Sequence, residues 1–376
     1  MKSTFLPIAV LISVVACYSV SLGGTYTAAT LILNHKGYSA FLIAANASMT
    51  PLGLIASSML LPVFARGKAA YWLIGGLGTT TIAVFLISYV ESYVGLGLLR
   101  LLLGFSANTL FIVGETTLMM ITPVGLGGRI MSIYNGLVTL GYAVGPIGVS
   151  IFSARPSYAL IGCGLILATV LIVMITNVSR FSTSLLPAEK GRGILLFART
   201  APAVLIGTVA VAAFDNASLN LFPLFSIAAG LSDEISLWTL SALLVGATFL
   251  QYPVGVLIDR FTPQLILNCT LLGTAVCLST FPLLTSHPYL YVCAAFVAGG
   301  TAFGVFSAVL SVVSTRLSKE LLVTANSAIG LFWGLGSFVS VPALGAAMDY
   351  DYLFYPMGLA LLFLVSFIFC LVRGVK

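Results

Sequence analysis

Long apolar runs separated by short polar breaks dominate this sequence. A membrane-spanning helix needs roughly 20 mostly apolar residues, and reading from break to break yields twelve runs of sufficient length. These runs cover residues 5–33, 38–63, 69–90, 93–121, 130–154, 157–178, 198–228, 234–257, 263–285, 287–315, 321–348 and 352–373. Breaks as short as residues 65–68 force neighbouring helices into antiparallel hairpins. The pattern predicts an all-α integral membrane protein with twelve transmembrane helices.

Composition supports this prediction, because 60% of the residues are hydrophobic and only 7% are charged. A soluble domain usually carries about 25% charged residues, and so few charges could not cover a surface facing water. The first apolar run, from Phe5, is longer than a signal-peptide core and is expected to be retained. The six cysteines lie in apolar runs without metal-binding spacing, and the only histidines are His35 and His287. No metal site and no cofactor are therefore expected.

The basic residues predict the orientation of the chain, since cytoplasmic loops are enriched in Lys and Arg. With both termini cytoplasmic, Lys36 and Arg155 face the outside and Arg100 lies in or at the edge of a span. The cytoplasmic side then holds Lys2, Arg66, Lys68, Arg129, Arg180, Lys190, Arg192, Arg199, Arg260, Arg316, Lys319, Arg373 and Lys376. The outer loops collect Glu91, Asp233, Glu234, Asp349 and Asp351. We expect a multi-pass protein of a bacterial inner membrane with both termini in the cytoplasm.

One longer polar interval, residues 179–197, divides the chain into nearly equal parts. It predicts an N-terminal six-helix bundle over 1–178, a cytoplasmic linker over 179–197 and a C-terminal six-helix bundle over 198–376. Two such halves are typical of transporters, whose solute site lies near the membrane midplane.

Charged residues are rare inside spans and usually face a cavity or a partner. On the fourth run, Arg100, Gly104, Asn108 and Glu115 lie within about 80° on one helical face, and Arg100 and Glu115 are about 22 Å apart along it. This stripe is a candidate lining of a translocation path. The alternative for Arg100 is a structural or snorkelling role near one membrane interface.

Glu115 is a candidate proton carrier, because acids within spans often serve as proton relays. The alternative is a structural acid that holds Arg129 or a backbone N–H at the cytoplasmic rim.

Asp215, with Asn216 and Asn220, is the corresponding candidate in the second half, for contact with solute or proton. The alternative is a cap at a helix break near Pro223, where loosened backbone groups need partners.

The fifth run carries Gly141, Gly145 and Gly148 at spacings of four and three, which lets another helix approach closely. Pro146 removes one backbone donor and permits a kink. The segment is either a tight packing surface or a helix that bends during transport.

Residues 251–260, QYPVGVLIDR, resemble the cytoplasmic loop motif of the major facilitator superfamily. The resemblance implies that Gly255, Asp259 and Arg260 form a cytoplasmic gate, in which the Asp caps a neighbouring helix and pairs with basic groups. The corresponding loop of the first half keeps the basic residues Arg66 and Lys68 but lacks the Asp.

Three further patterns carry the resemblance, which covers the whole chain. Arg100 with Gly104 resembles the Arg-xxx-Gly pattern of the fourth helix, where the Arg is tied to proton coupling. Gly141, Gly145 and Pro146 resemble a fifth-helix motif associated with antiporters, with the last glycine one residue early. Glu115 followed by residues 128–134 resembles a branch of poorly characterised bacterial carriers.

These patterns favour a secondary transporter that exports a small organic solute in exchange for protons by alternating access. The comparatively apolar lining favours export, and the alternative is proton-coupled or facilitated uptake of a nutrient or metabolite. No catalytic motif or channel filter is present, so an enzyme or channel is disfavoured. The expected partners are a small-molecule substrate, protons and the lipid bilayer. No nucleic acid is expected, and the protein is expected to act as a monomer.

Overall fold

The computed structural model describes residues 2–64, 66–123, 127–181, 184–185, 202–316 and 319–373. Within these ranges the chain forms fourteen α-helices. The first seven are α1 Lys2–His35, α2 Ala40–Ala47, α3 Met49–Phe64, α4 Ala69–Tyr89, α5 Tyr93–Ile121, α6 Gly127–Ser150 and α7 Pro156–Thr176. The remaining seven are α8 Pro202–Ala228, α9 Asp233–Phe249, α10 Gln251–Arg260, α11 Pro263–Leu284, α12 Pro288–Arg316, α13 Lys319–Tyr350 and α14 Phe354–Arg373.

Eleven segments of the described chain are long and apolar enough to cross a membrane, which makes this a multi-pass membrane protein. Two of them, Ala40–Leu61 and Asp233–Ile258, each combine two consecutive helices. The expected span 130–154 is helical as α6, which is not among the eleven segments found in the described residues. The count of twelve spans and the cytoplasmic termini remain predictions.

Two predicted spans, 38–63 and 234–257, are each interrupted in the structure, at Ser48 and at Leu250. A proline follows each interruption by three residues, Pro51 in α3 and Pro253 in α10. Proline has no N–H to donate to the carbonyl four residues earlier, so the helix ladder is broken there. At Ser48 the side-chain hydroxyl also donates to the Ala44 carbonyl at 2.9 Å. The apolar pattern runs through both breaks and so did not predict them.

The chain divides into two compact units. Unit 1 comprises Met1–His35 and Met49–Glu189, with α1 and α3 to α7. Unit 2 comprises Lys36–Ser48 and Lys190–Lys376, with α2 and α8 to α14. The short helix α2 is therefore part of the second unit, and the chain returns to the first unit at Met49.

Unit 1 is held together by helix crossings in which glycine lets two backbones meet. On α6, Gly145 lies against the backbone of Gly23 and Gly24 on α1. On α5, Gly104 lies directly against the carbonyl of Thr50 on α3, with no room for a side chain. Such close approach permits extensive van der Waals contact where no hydrophobic effect drives helices together.

Unit 2 repeats this device where α9 crosses α12. Gly246 lies against the carbonyl of Phe296, and Gly299 lies against the carbonyl of Leu243. Helix α8 is the most enclosed of the candidate spans, with 78% of its window buried, because several helices of the unit pack around it.

A short β-pairing adds to the predicted all-helical pattern. In unit 1, β1 (Gly67–Lys68) pairs antiparallel with β2 (Ser184–Leu185). Two residues per strand are too short for a sequence pattern to indicate, so this pairing was not predicted.

Candidate functional site

Three charged residues lie within the described helices and outside their first and last turns. They are Arg100 and Glu115 on α5 in unit 1, and Asp215 on α8 in unit 2. These are the residues that the sequence singled out as charged groups within spans.

Arg100 is enclosed inside unit 1, with 2% of its surface exposed. Its Nη2 atom donates to Thr30 Oγ1 on α1 at 3.4 Å, and the guanidinium interacts electrostatically with Tyr26 and Tyr93. In this conformation Arg100 ties α5 to α1 and presents no surface to a solute.

The middle of the predicted stripe lies at the interface between α5 and α3. Asn108 Nδ2 lies 3.1 Å from the Leu54 carbonyl, 2.6 Å from Ser57 Oγ and 2.8 Å from Ser58 Oγ. One turn earlier, Gly104 packs on Thr50. Gly104 and Asn108 therefore join two helices of unit 1, a packing role that a common face on α5 alone does not reveal.

Glu115 is partly exposed and makes no hydrogen bond or ion pair with any residue that the structure describes. The phenol of Tyr134 on α6 lies within its electrostatic range. Tyr134 is 1% exposed, and its hydroxyl is buried without a hydrogen-bond partner among the described residues. A Cβ atom at Gly114, the residue before Glu115, would lie 3.9 Å from this hydroxyl. In unit 1, the Tyr134 hydroxyl, a donor without a partner among the described residues, therefore lies near the partly exposed Glu115.

A buried chain of hydroxyl groups continues into unit 1. Tyr18 Oη lies 3.0 Å from Thr80 Oγ1, which lies 2.8 Å from Ser106 Oγ. The phenols of Tyr18 and Tyr134 interact electrostatically. Tyr18, Thr80 and Ser106 could not be identified from the sequence, because they are up to 88 positions apart and no local spacing marks them.

Asp215 lies on the most enclosed helix, yet it is partly exposed. From Ala210 to Ser226, Asp215 and Asn216 are the only residues that are not buried. The Asp215 carboxylate makes no hydrogen bond or ion pair with the described residues. Between Ala210 and Ser226, the packing around α8 therefore leaves only the acid Asp215 and its neighbour Asn216 accessible.

Asn216 and Asn220 form a pair on the same helix. Asn220 Nδ2 donates to the Asn216 carbonyl at 2.9 Å and lies 3.3 Å from Asn216 Oδ1. Helix α8 is continuous from Pro202 to Ala228 and contains Pro223, so Asp215 lies at no helix end. Asn220 is buried, and its contact positions Asn216 beside Asp215.

The predicted gate residues are described only in part. Arg66 is exposed, and its carbonyl accepts a hydrogen bond from Trp72 Nε1 at 3.0 Å. Lys68 is exposed in β1. Gly255 and Arg260 lie on α10, where Arg260 is the last residue and is exposed. The side chain of Asp259 lies outside what the structure describes, so the predicted pairing stays a prediction.

The predicted flexible helix packs closely against α1. A Cβ atom at Gly141 would lie 2.8 Å from the Ala16 carbonyl oxygen, and Gly145 contacts Gly24. Gly148 has open space around it, and Pro146 lies inside continuous α6. These contacts account for Gly141 and Gly145 by packing.

Comparison with known proteins assigns the chain to a family. Residues 10–341 match the Major Facilitator Superfamily. The Uncharacterized MFS-type transporter YfkF of Bacillus subtilis is 26% identical over 353 residues, covering 90% of this chain and 88% of that protein. The Uncharacterized MFS-type transporter YcaD of Salmonella arizonae is 26% identical over 262 residues, covering 67% and 65% respectively.

Solved structures show the same fold. The crystal structure of nucleoside transporter NupG superposes with a TM-score of 0.77 at 12% identity and full coverage of both chains. A POT family transporter in complex with 5-aminolevulinic acid gives a TM-score of 0.78 at 10% identity, covering 97% of this chain and 95% of that one. The chain belongs to the Major Facilitator Superfamily. It is a secondary transporter of a small molecule rather than an enzyme, as the resemblance of its loop and helix motifs predicted.

Proposed function

We propose that this transporter exports a small organic solute in exchange for protons, from the inner membrane of a bacterium. In the proposed arrangement it acts as a monomer with twelve spans and both termini in the cytoplasm. One observation supports the proposed exchange of solute for protons. Outside the first and last turns of its described helices, each unit has one acid, Glu115 or Asp215, that is partly exposed and lacks a hydrogen bond or ion pair with the described residues.

An antiporter needs only a carboxylate that a proton and a solute occupy in turn. A charged group in hydrocarbon-like surroundings is costly, so such a carboxylate is stable when it is protonated or paired. Glu115 and Asp215 both meet this requirement, and either can carry the proton. Arg100, which is buried behind the α5 surface, adjusts the local electrostatic potential.

The remaining predicted residues serve the conformational change. Gly141, Gly145 and Pro146 let α6 adjust its packing on α1, and Arg66, Lys68, Gly255, Asp259 and Arg260 form the cytoplasmic gate. Substrate binding that favours one conformation shifts the population toward it, which is how alternating access is driven.

The test begins with a thermal-shift screen of metabolites and antibiotics on the purified protein, since a ligand that binds the native state raises its apparent stability. A ligand from the screen is then added to the protein in weakly buffered detergent solution. Exchange predicts that binding releases protons, and that Glu115→Gln or Asp215→Asn abolishes the release. Asp351→Asn, in an acid whose Oδ1 atom accepts a hydrogen bond from the Leu353 N–H in the loop before α14, is the matched control.

The same measurement separates the alternatives. Proton-coupled uptake predicts that binding takes up a proton, and facilitated uptake predicts no proton change. Either result, reproduced over a range of pH values, would reject the proposed exchange.

A further inference from the structure

We infer that the solute is an organic cation and that Asp215 is the residue that binds its positive charge. This inference rests on the proposed function, because it assigns the substrate class of the same site.

The accessible charge within the described spans is negative. Of the three charged residues outside the first and last turns of the described helices, Arg100 is 2% exposed and is bonded to Thr30, whereas Glu115 and Asp215 are partly exposed. A solute that enters these surfaces therefore meets carboxylates and no accessible basic group. An anionic solute would be repelled there, while a cation would be attracted.

The two acids differ in what their own unit provides. Glu115 has the buried Tyr134 hydroxyl beside it, a donor without a partner among the described residues. That hydroxyl can donate to the ionised carboxylate, and hydrogen bonds to a charged group are among the stronger ones. No described donor contacts Asp215. Its negative charge therefore has no partner among the described residues, and we assign that place to a proton or a cationic solute.

No described titratable group pairs with the Asp215 carboxylate. The titratable side chains that meet α8 from neighbouring helices are Cys370 and Tyr355 of α14 and Tyr291 of α12. Cys370 contacts the Ala203 carbonyl and Tyr291 lies 2.8 Å from Ser226 Oγ, both more than two turns along α8 from Asp215. Tyr355 packs on Phe222 and its hydroxyl faces Ser218, three residues from Asp215, but it makes no hydrogen bond or electrostatic contact with the Asp215 carboxylate among the described residues. Helices α2, α9 and α13 show no hydrogen bond, ion pair or electrostatic contact to Asp215 among the described residues.

Unit 2 also offers aromatic surface to a cation. Phe306 of α12 and Trp333 of α13 meet edge to face with their ring centroids 5.1 Å apart, and both are partly exposed. Trp333 lies one turn before Ser337, whose hydroxyl donates to the Ala212 carbonyl on α8 at 3.1 Å. Aromatic faces attract cations that carry apolar surface. The described residues contain no group of three or more His, Cys, Asp or Glu side chains that could hold a metal ion, which favours an organic cation over a small metal ion.

The exchange balances in charge and protons. Asp215 begins as a neutral carboxylic acid, the O–H bond breaks, one proton leaves, and one monovalent cation pairs with the carboxylate. The site is electrically neutral before and after, so neither state leaves an uncompensated charge among apolar side chains. A neutral or anionic solute cannot replace the proton in this way.

The test uses the full-length protein in detergent and probes that match in shape and differ in charge. Tetraphenylphosphonium is the cation, tetraphenylborate is its anionic counterpart, and methyltriphenylphosphonium is a smaller cation. Binding is followed by calorimetry, and proton release is followed in weakly buffered solution. We expect both cations to bind with release of about one proton, and the anion to bind at least about 30-fold more weakly, as expected for a desolvated charge pair.

Variants assign the effect to Asp215. Asp215→Asn is expected to lose about 30-fold or more of the cation affinity and the proton release, whereas Asp215→Glu retains both. Asp351→Asn is the control that keeps wild-type binding. Thermal unfolding of each variant shows whether it is folded, and Asp215→Glu keeps the inference testable if Asp215→Asn is not.

The outcomes separate this inference from the proposed function. If a neutral or anionic solute releases a proton on binding and the cations do not bind, the cation assignment is wrong and proton exchange stands. If cations bind Asp215 without any proton release, the cation site stands and proton exchange is wrong. If the anion binds as tightly as the cations, or if Asp215→Asn binds cations with wild-type affinity, the inference is overturned.

Discussion

The carboxylate of Asp349 caps the helix that begins at Ala40. Its Oδ1 atom accepts a hydrogen bond from the Ala40 N–H at 2.7 Å, and its Oδ2 atom accepts one from the Phe41 N–H at 3.1 Å. The first N–H groups of a helix have no partner within the helix, and a negative charge there is favoured by the helix dipole. Gly345, one turn before Asp349, packs against Ala44. Residues 309 positions apart thus join α13 to α2 within unit 2.

We predict that Asp349→Ala loosens the first turn of α2. Loss of a capping side chain costs about 1 kcal/mol, and two backbone donors lose their acceptor here. Amide hydrogen exchange should become faster over residues 40–43, measured by mass spectrometry on the purified protein.

Asp351 provides the matched control, because its Oδ1 atom accepts from the Leu353 N–H at 2.9 Å in its own loop. Asp351→Ala should speed exchange near residue 353 and leave residues 40–43 unchanged. Wild-type exchange over residues 40–43 in Asp349→Ala would contradict the cap.

Because α6 and α1 cross closely, alanine substitutions at two glycines of α6 should affect stability differently. A Cβ atom at Gly145 would lie 2.6 Å from the Val20 carbonyl oxygen, whereas Gly148 has nothing within 4 Å. Gly145→Ala should destabilise the protein by about 1–3 kcal/mol, the usual cost of overpacking. Gly148→Ala should be neutral or slightly stabilising, because alanine favours a helix over glycine. Thermal unfolding in one detergent compares them, and equal midpoints would show that the crossing is looser than described.

Two buried tyrosines of unit 1 should respond differently to loss of their hydroxyl groups. Tyr18→Phe removes the hydrogen bond to Thr80 and should cost about 1 kcal/mol. Tyr134→Phe removes a hydroxyl without a partner among the described residues and should leave stability unchanged or raised. Thermal unfolding measures both variants. A loss of stability in Tyr134→Phe as large as that in Tyr18→Phe would mean that the Tyr134 hydroxyl has a partner.

The sequence could predict the features that depend on local pattern. Apolar runs predicted the helices, and helical spacing put Arg100, Gly104 and Asn108 on one face of α5. The sequence could not show that this face of α5 meets α3 and α1, because the spacing of residues along one helix does not indicate which helices pack against it. Asn108 therefore turned out to bond Ser57, a residue 51 positions away.

The same limit explains what the sequence missed. The hydroxyl chain from Tyr18 through Thr80 and the cap from Asp349 to Ala40 join distant segments, so only the folded chain shows them. The breaks at Ser48 and Leu250 had a local signal in the prolines three residues later, but the apolar pattern outweighed it. Asp215 was identified because a single acid in an apolar run is conspicuous without any tertiary information.

In the proposed exchange, solute and proton movement are coupled through the acids within the spans. The most direct measurement uses proteoliposomes of purified protein that contain a pH-sensitive dye, with a solute from the thermal-shift screen added to one side. Exchange predicts that protons move opposite to the solute in wild type, and that the movement is lost in Glu115→Gln or Asp215→Asn but kept in Asp351→Asn. Solute that equilibrates across the bilayer with no proton movement at any imposed pH gradient would contradict the coupling.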